Sequence, residues 1–187
     1  TASKAVNASS CDKCKRGQYA AAGKTACATC AAGKADSDTD ASTACQACAR
    51  GTFTDKGATA CSACVPGTYD HDAAKAGSAA TPCISCGAGT HASSGATACT
   101  QCAAGQFDHD EKASTSCRGC SAGQYSAAKS TVCTDCKAGF YDGDADASTN
   151  CQACAQGTVS KAKARACTPC TAGLADEDKN ASTACSP

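Results

Sequence analysis

Ten C-x-x-C pairs recur along this 187-residue chain, and no other feature restricts its fold as strongly. They stand at Cys11/Cys14, Cys27/Cys30, Cys45/Cys48, Cys61/Cys64, Cys83/Cys86, Cys99/Cys102, Cys117/Cys120, Cys133/Cys136, Cys151/Cys154 and Cys167/Cys170, with Cys185 following alone. The spacers alternate between 12 and 14 residues, except for one of 18 between Cys64 and Cys83. Two pairs make one unit of 34 residues, 38 in the second copy. The chain therefore divides into a linker or module end at 1–10, repeats at 11–44, 45–82 (with an insertion), 83–116, 117–150 and 151–184, and the start of a further module at 185–187.

Composition closes off the usual way of stabilising such a length. The 42% hydrophobic content is mostly Ala and Cys; Val, Ile, Leu, Phe and Tyr together number 13. That is too few for a conventional core, so cross-links or metal must hold the fold. A helical repeat of the same period would need apolar residues at i, i+3, i+4 and i+7, and the chain has none to supply. No apolar run nears the ~18 residues of a membrane span. The 17 basic and 17 acidic residues balance without a basic block, which argues against nucleic acid as a partner.

Other positions keep the same beat. Gly stands three residues after the second Cys of every pair, from Gly17 to Gly173. Such a glycine implies φ > 0, or a place where a Cβ would meet the disulfide. Two residues on comes a large side chain: Tyr19, Phe53, Tyr69, His91, Phe107, Tyr125, Tyr141 or Val159, with Ala35 and Ala175 as exceptions. Thr precedes the next pair by two residues in nine of ten spacers.

The cysteines admit three chemistries. A redox C-x-x-C would need a βαβ setting that is missing here. Zinc suits C-x2-C…C-x2-C, but 21 cysteines are not a multiple of four, and only Cys86-Gly87 has the glycine that usually follows a zinc knuckle. Disulfides are the leading reading and imply an oxidising, extracellular setting. Spacing does not fix connectivity. The economical scheme joins the second Cys of each pair to the first of the next: 14–27, 30–45, 48–61, 64–83, 86–99, 102–117, 120–133, 136–151, 154–167 and 170–185. Only Cys11 is left over.

Cys14-Lys-Arg-Gly17-Gln-Tyr19…Cys27 and Cys120-Ser-Ala-Gly123-Gln-Tyr125…Cys133 carry a resemblance. The pattern resembles the ephrin-receptor-like cysteine-rich repeat, a relative of the tumour-necrosis-factor-receptor module, over residues 11–187. The resemblance implies the same neighbour-to-neighbour bridges, with the ring packed against the bridge. Long arrays of this kind are similar to protist surface proteins, including ciliate surface antigens and flagellar-hair components.

The long spacers hold 14 of the 17 acids. Asp36, Asp38 and Asp40, and likewise Asp142, Asp144 and Asp146, have the i, i+2, i+4 spacing that opens calcium loops. An EF-hand is excluded, because position 6 is Ala41 or Ala147 rather than Gly and no Glu falls at position 12. The two triplets are candidate weak calcium ligands; the alternative is a solvated acidic turn. His71 and His109 read as exposed loop residues, and His91 as a packing residue. The Thr before each pair reads as a hydroxyl bonded to local backbone. Asn7-Ala-Ser9 and Asn180-Ala-Ser182 are N-glycosylation sequons.

The expected fold is a small disulfide-rich, linear solenoid of tandem modules with short strands and turns and little helix. No nucleophile, base and orienting group occur together, so no catalysis is expected. The expected function is an extracellular stalk, surface coat or filamentous appendage, partnered by glycans and by copies of itself or further repeats. The alternative is a ligand-binding receptor or adhesin ectodomain, with or without bound calcium, and with the insertion from His71 to Gly77 as its contact. Without Met or a signal-like start, the chain reads as processed or as a fragment, and its unbridged Cys11 and the half C-x-x-C at Cys185 point to continuation or assembly into a linear polymer.

Overall fold

The computed structural model describes residues 14–187 apart from 22–23, 25 and 73–78. Cys11, Asn7, the linker at 1–10 and residues 73–77 of the insertion lie outside the described residues. The fold is a tandem series of small disulfide-rich modules built from short antiparallel hairpins, with no helix among the described residues.

Each module starts from one turn. The residue after the second Cys accepts a bond from the amide three positions on, as in Gln18 N–H to Lys15 O (3.0 Å) and Gln124 N–H to Ser121 O (3.1 Å). Gly takes the third position of this turn with φ between 73° and 92° in all ten copies. A type II turn demands this, and a side chain there would be strained. The two residues after the glycine pair with the two residues inside the next C-x-x-C; Gln18 and Tyr19 face Thr29 and Ala28. Nine such hairpins form, each of two-residue strands. In the tenth module a single antiparallel bridge, Ala175 to Ser186, takes the hairpin's place. The amide of the second Cys then bonds the glycine carbonyl, as Cys30 does to Gly17 and Cys136 to Gly123 (both 2.9 Å). Local geometry thus brings the bridging cysteines together.

The disulfides join Cys14–Cys27, Cys30–Cys45, Cys48–Cys61, Cys64–Cys83, Cys86–Cys99, Cys102–Cys117, Cys120–Cys133, Cys136–Cys151, Cys154–Cys167 and Cys170–Cys185. Their Cα atoms lie 5.5–5.7 Å apart, within the normal range for a bridge. Ten bridges in one chain belong to an extracellular or secreted protein. No helix among the described residues is long and apolar enough to cross a membrane.

The modules gather into two compact units, Thr1–Ser85 with Ser93–Ala98, and Cys86–Ala92 with Cys99–Pro187. Both have the same kind of core. In the first, Cys30, Cys64, Ala35, Ala79, Asp36, Thr54 and Asp70 are buried; in the second, Cys102, Cys136, Ala92, Thr90, Asp108, Ser126, Asp142 and Ser160 are buried. The core is therefore cystine, alanine and small polar groups. The aromatic slot is not its centre: Tyr19, Phe53, Phe107 and Tyr125 are only half-buried. A ring-to-bridge contact is observed at His91, whose Nδ1 lies 3.3 Å from Cys117 Sγ, in the next module's bridge rather than its own.

Candidate functional site

The long acidic spacers are where the chain's chemistry concentrates, and their acids hold three different positions. The first acid follows its module's Gly by three residues and is turned inward. Asp36 accepts the Gly17 amide (3.0 Å), Asp70 that of Gly51 (2.9 Å), Asp108 that of Gly89 (3.2 Å), Asp142 that of Gly123 (3.0 Å) and Asp176 that of Gly157 (3.2 Å). Every one of these bonds runs between adjacent modules over 19 residues. Four of the five carboxylates are 5–8% exposed, so the solvated-turn expectation does not describe them. A buried acceptor matched to a buried donor removes a desolvation cost that either would carry alone.

The second acid faces the threonine that precedes the cysteine pair. Thr43 donates its hydroxyl to Asp38, Thr81 to Asp72, Thr115 to Asp110, Thr149 to Asp144 and Thr183 to Asp178, at 2.7–3.2 Å. Four of these hydroxyls also lie within bonding distance of a backbone carbonyl three residues back, the local partner expected for them. The third acid caps a turn: Ser42 donates its amide and hydroxyl to Asp40 at 2.9 and 2.7 Å, and Ser148 donates its amide to Asp146 at 2.9 Å.

These donors set the electrostatics. The Asp40 amide and then the Thr43 hydroxyl hold the Asp38 carboxyl below the usual carboxylate range. The Ser42 amide and hydroxyl do the same to Asp40. Thr115 lowers Asp110, the Ser148 hydroxyl and amide lower Asp146, and the Asn180 amide followed by Thr183 lowers Asp178.

In the two candidate calcium triplets each acid meets a different donor. Asp36 and Asp142 turn toward a glycine amide, Asp38 and Asp144 toward a threonine, Asp40 and Asp146 toward a serine. Among the described residues the one group of three ligand-type side chains with ligand atoms within 4.8 Å of one another is His91, Cys102 and Cys117. Both of its sulfurs are already joined to each other. His71 is exposed, and so is His109, which sits edge-on to Phe107 at 6.3 Å.

The recurrent Gly–Asp contact escapes a local reading of the sequence, yet a signal for it is present. Gly-x-x-Asp stands at Gly33, Gly67, Gly105, Gly139 and Gly173, whereas the alternate modules carry Ala, Thr or Ser at the same place. In comparisons with known proteins, the chain matches no family model and no curated protein.

Proposed function

We propose that this is a non-catalytic structural repeat protein of the extracellular space, part of a stalk, surface coat or filamentous appendage. The observation that carries this reading is the Gly–Asp bond, remade in five successive repeats with the same atoms. The first acid of each long spacer serves module-to-module contact, and the others bond within their own turns, which supports the structural reading. Repetition of one contact favours extension, because linear repeats are stabilised by their nearest neighbours. The partners in this reading are copies of the chain or further repeats, with sugar on exposed loops. The likeness to ephrin-receptor-like cysteine-rich repeats belongs to the same proposal, and protist surface or flagellar-hair arrays are the setting it suggests.

Negative-stain imaging of native material is the test. Long fibres or a continuous coat containing this chain are expected. Isolated particles, together with a monomeric sedimentation profile, would overturn the reading in favour of a receptor or adhesin ectodomain.

A further inference from the structure

We infer that Asn180 is an N-glycan attachment site, and that the folded turn around it is built to hold its shape with the sugar in place. The inference rests on the secretory passage that ten disulfides imply, and not on the fibre reading.

Asn180 occupies the third-acid position of its spacer, where the first and fourth repeats have Asp40 and Asp146. The turn is the same in all three. Ser182 donates its amide and hydroxyl to Asn180 Oδ1 at 3.1 and 2.6 Å. Ser42 makes the same pair of bonds to Asp40, and the Ser148 amide bonds Asp146. The Asn180 amide donates to Asp178 Oδ1 at 3.0 Å, as that of Asp40 does to Asp38. Every bond of this turn that uses the Asn180 side chain goes through Oδ1. Nδ2 makes no hydrogen bond among the described residues, and Asn180 and Ser182 are both exposed. Replacing Asp by Asn here leaves the turn's acceptor unchanged and adds one free amide nitrogen inside Asn-x-Ser, the acceptor sequence for N-glycans.

There is also room beside it. Ser182, Thr183 and Ala184 help line a cavity of about 580 Å³, together with Val159 and Ala166. Asn180 itself is exposed, so a saccharide on Nδ2 has solvent to extend into.

The transfer balances with a lipid-pyrophosphate-linked oligosaccharide as donor. The Nδ2–C1 bond forms as the C1–O bond to pyrophosphate breaks. One Nδ2 proton passes to a base of the transferase, and the lipid pyrophosphate departs.

The test is glycopeptide mass spectrometry on the chain secreted, with its disulfides intact, from a eukaryotic host. Wild-type protein should carry an N-acetylhexosamine-based glycan on the peptide containing Asn180, removable by a glycopeptide amidase that converts the linked asparagine to aspartate. Asn180→Asp should lose that glycan mass completely while keeping all ten bridges, since Asp is native to this turn at positions 40 and 146. Ser182→Thr should keep the glycan. A bare Asn180 on secreted wild-type chain would overturn the assignment, as would a sugar that persists on the same peptide in Asn180→Asp. Neither result would bear on fibre formation.

Discussion

The carboxylate of Asp142 accepts the backbone amide of Gly123 at 3.0 Å, 19 residues back along the chain. Asp142 is 8% exposed, so this is a buried charge-assisted bond joining one module to the next. Removing the acceptor leaves the Gly123 amide without its partner, a loss of about 1–3 kcal/mol. Asp142→Ala should therefore speed hydrogen exchange at Gly123 by roughly 5- to 150-fold. Asp142→Asn retains an acceptor oxygen and should restore much of the protection. Equal exchange in wild type and Asp142→Ala would mean that the bond contributes nothing to stability.

Two glycines of the second unit separate conformational strain from collision. Gly123 and Gly157 have φ of 76° and 78°. A Cβ on Gly123 would overlap the Lys163 carbonyl, whereas one on Gly157 meets nothing within 4 Å. Gly157→Ala should show only the left-handed penalty, about 1–2 kcal/mol. Gly123→Ala should be distinctly worse, because backbone atoms have no rotamer with which to yield. Thermal unfolding without reductant compares the two directly, and equal shifts would refute the collision.

Acid should undo the outer bonds of the spacers before the modules themselves. Asp38, Asp40, Asp110, Asp146 and Asp178 are all held below the usual carboxylate range. A folded-state value below the unfolded one means that the folded loop binds fewer protons. Its contribution to stability is thus complete above about 3.9, the ordinary Asp value, and lost as pH falls through the depressed folded values. An NMR titration should show the Asp40 and Ser42 amide signals shifting below about pH 4, with little change between pH 5 and 8. Thr43→Val should bring the Asp38 titration back toward the ordinary value.

Covalent closure should dominate stability. The hairpin strands are two residues long, far below what holds without other support. Each bridge that closes about 15 residues contributes about 3 kcal/mol in the chain-entropy model. Full reduction should abolish the fold, seen as collapse of amide dispersion. Replacing Cys136 and Cys151 together by Ala should destabilise locally by about that amount, since Cys136 is also 1% exposed and leaves a void. A fully reduced chain that kept its dispersed spectrum would contradict this.

Much of the architecture was legible because it is local. The invariant Gly three residues after each Cys announces φ > 0, and the turn it makes sets the hairpin and the bridge. Long-range contacts were less so. A Cβ at Gly17 would meet the carbonyl of Gly57, 40 residues on, and not the disulfide that proximity in sequence suggests. The acids look alike in a run such as Asp142-Gly-Asp144-Ala-Asp146, and only the neighbouring module separates the buried first from the exposed others. The resemblance placed the large side chain after each Gly against a bridge, yet the largest fully buried side chains are Cys30, Cys64, Cys102 and Cys136. With cystine at the centre, the rings of Tyr19, Phe53, Phe107 and Tyr125 remain at the margin, while Ala35, in the same slot, is buried.

Donor and acceptor of the Gly–Asp bond alternate along the chain: a Gly amide in one module of each pair, an Asp in the next. A gene that duplicates or deletes both modules together regenerates every such bond at the new junction. A copy of a single module would change which acceptor meets each glycine amide, because the glycines of the Asp-bearing modules donate instead to a carbonyl of the next module, as Gly33 does to Thr54, Gly105 to Ser126 and Gly139 to Ser160. A whole pair is therefore the smallest step in array length that reproduces every one of these contacts.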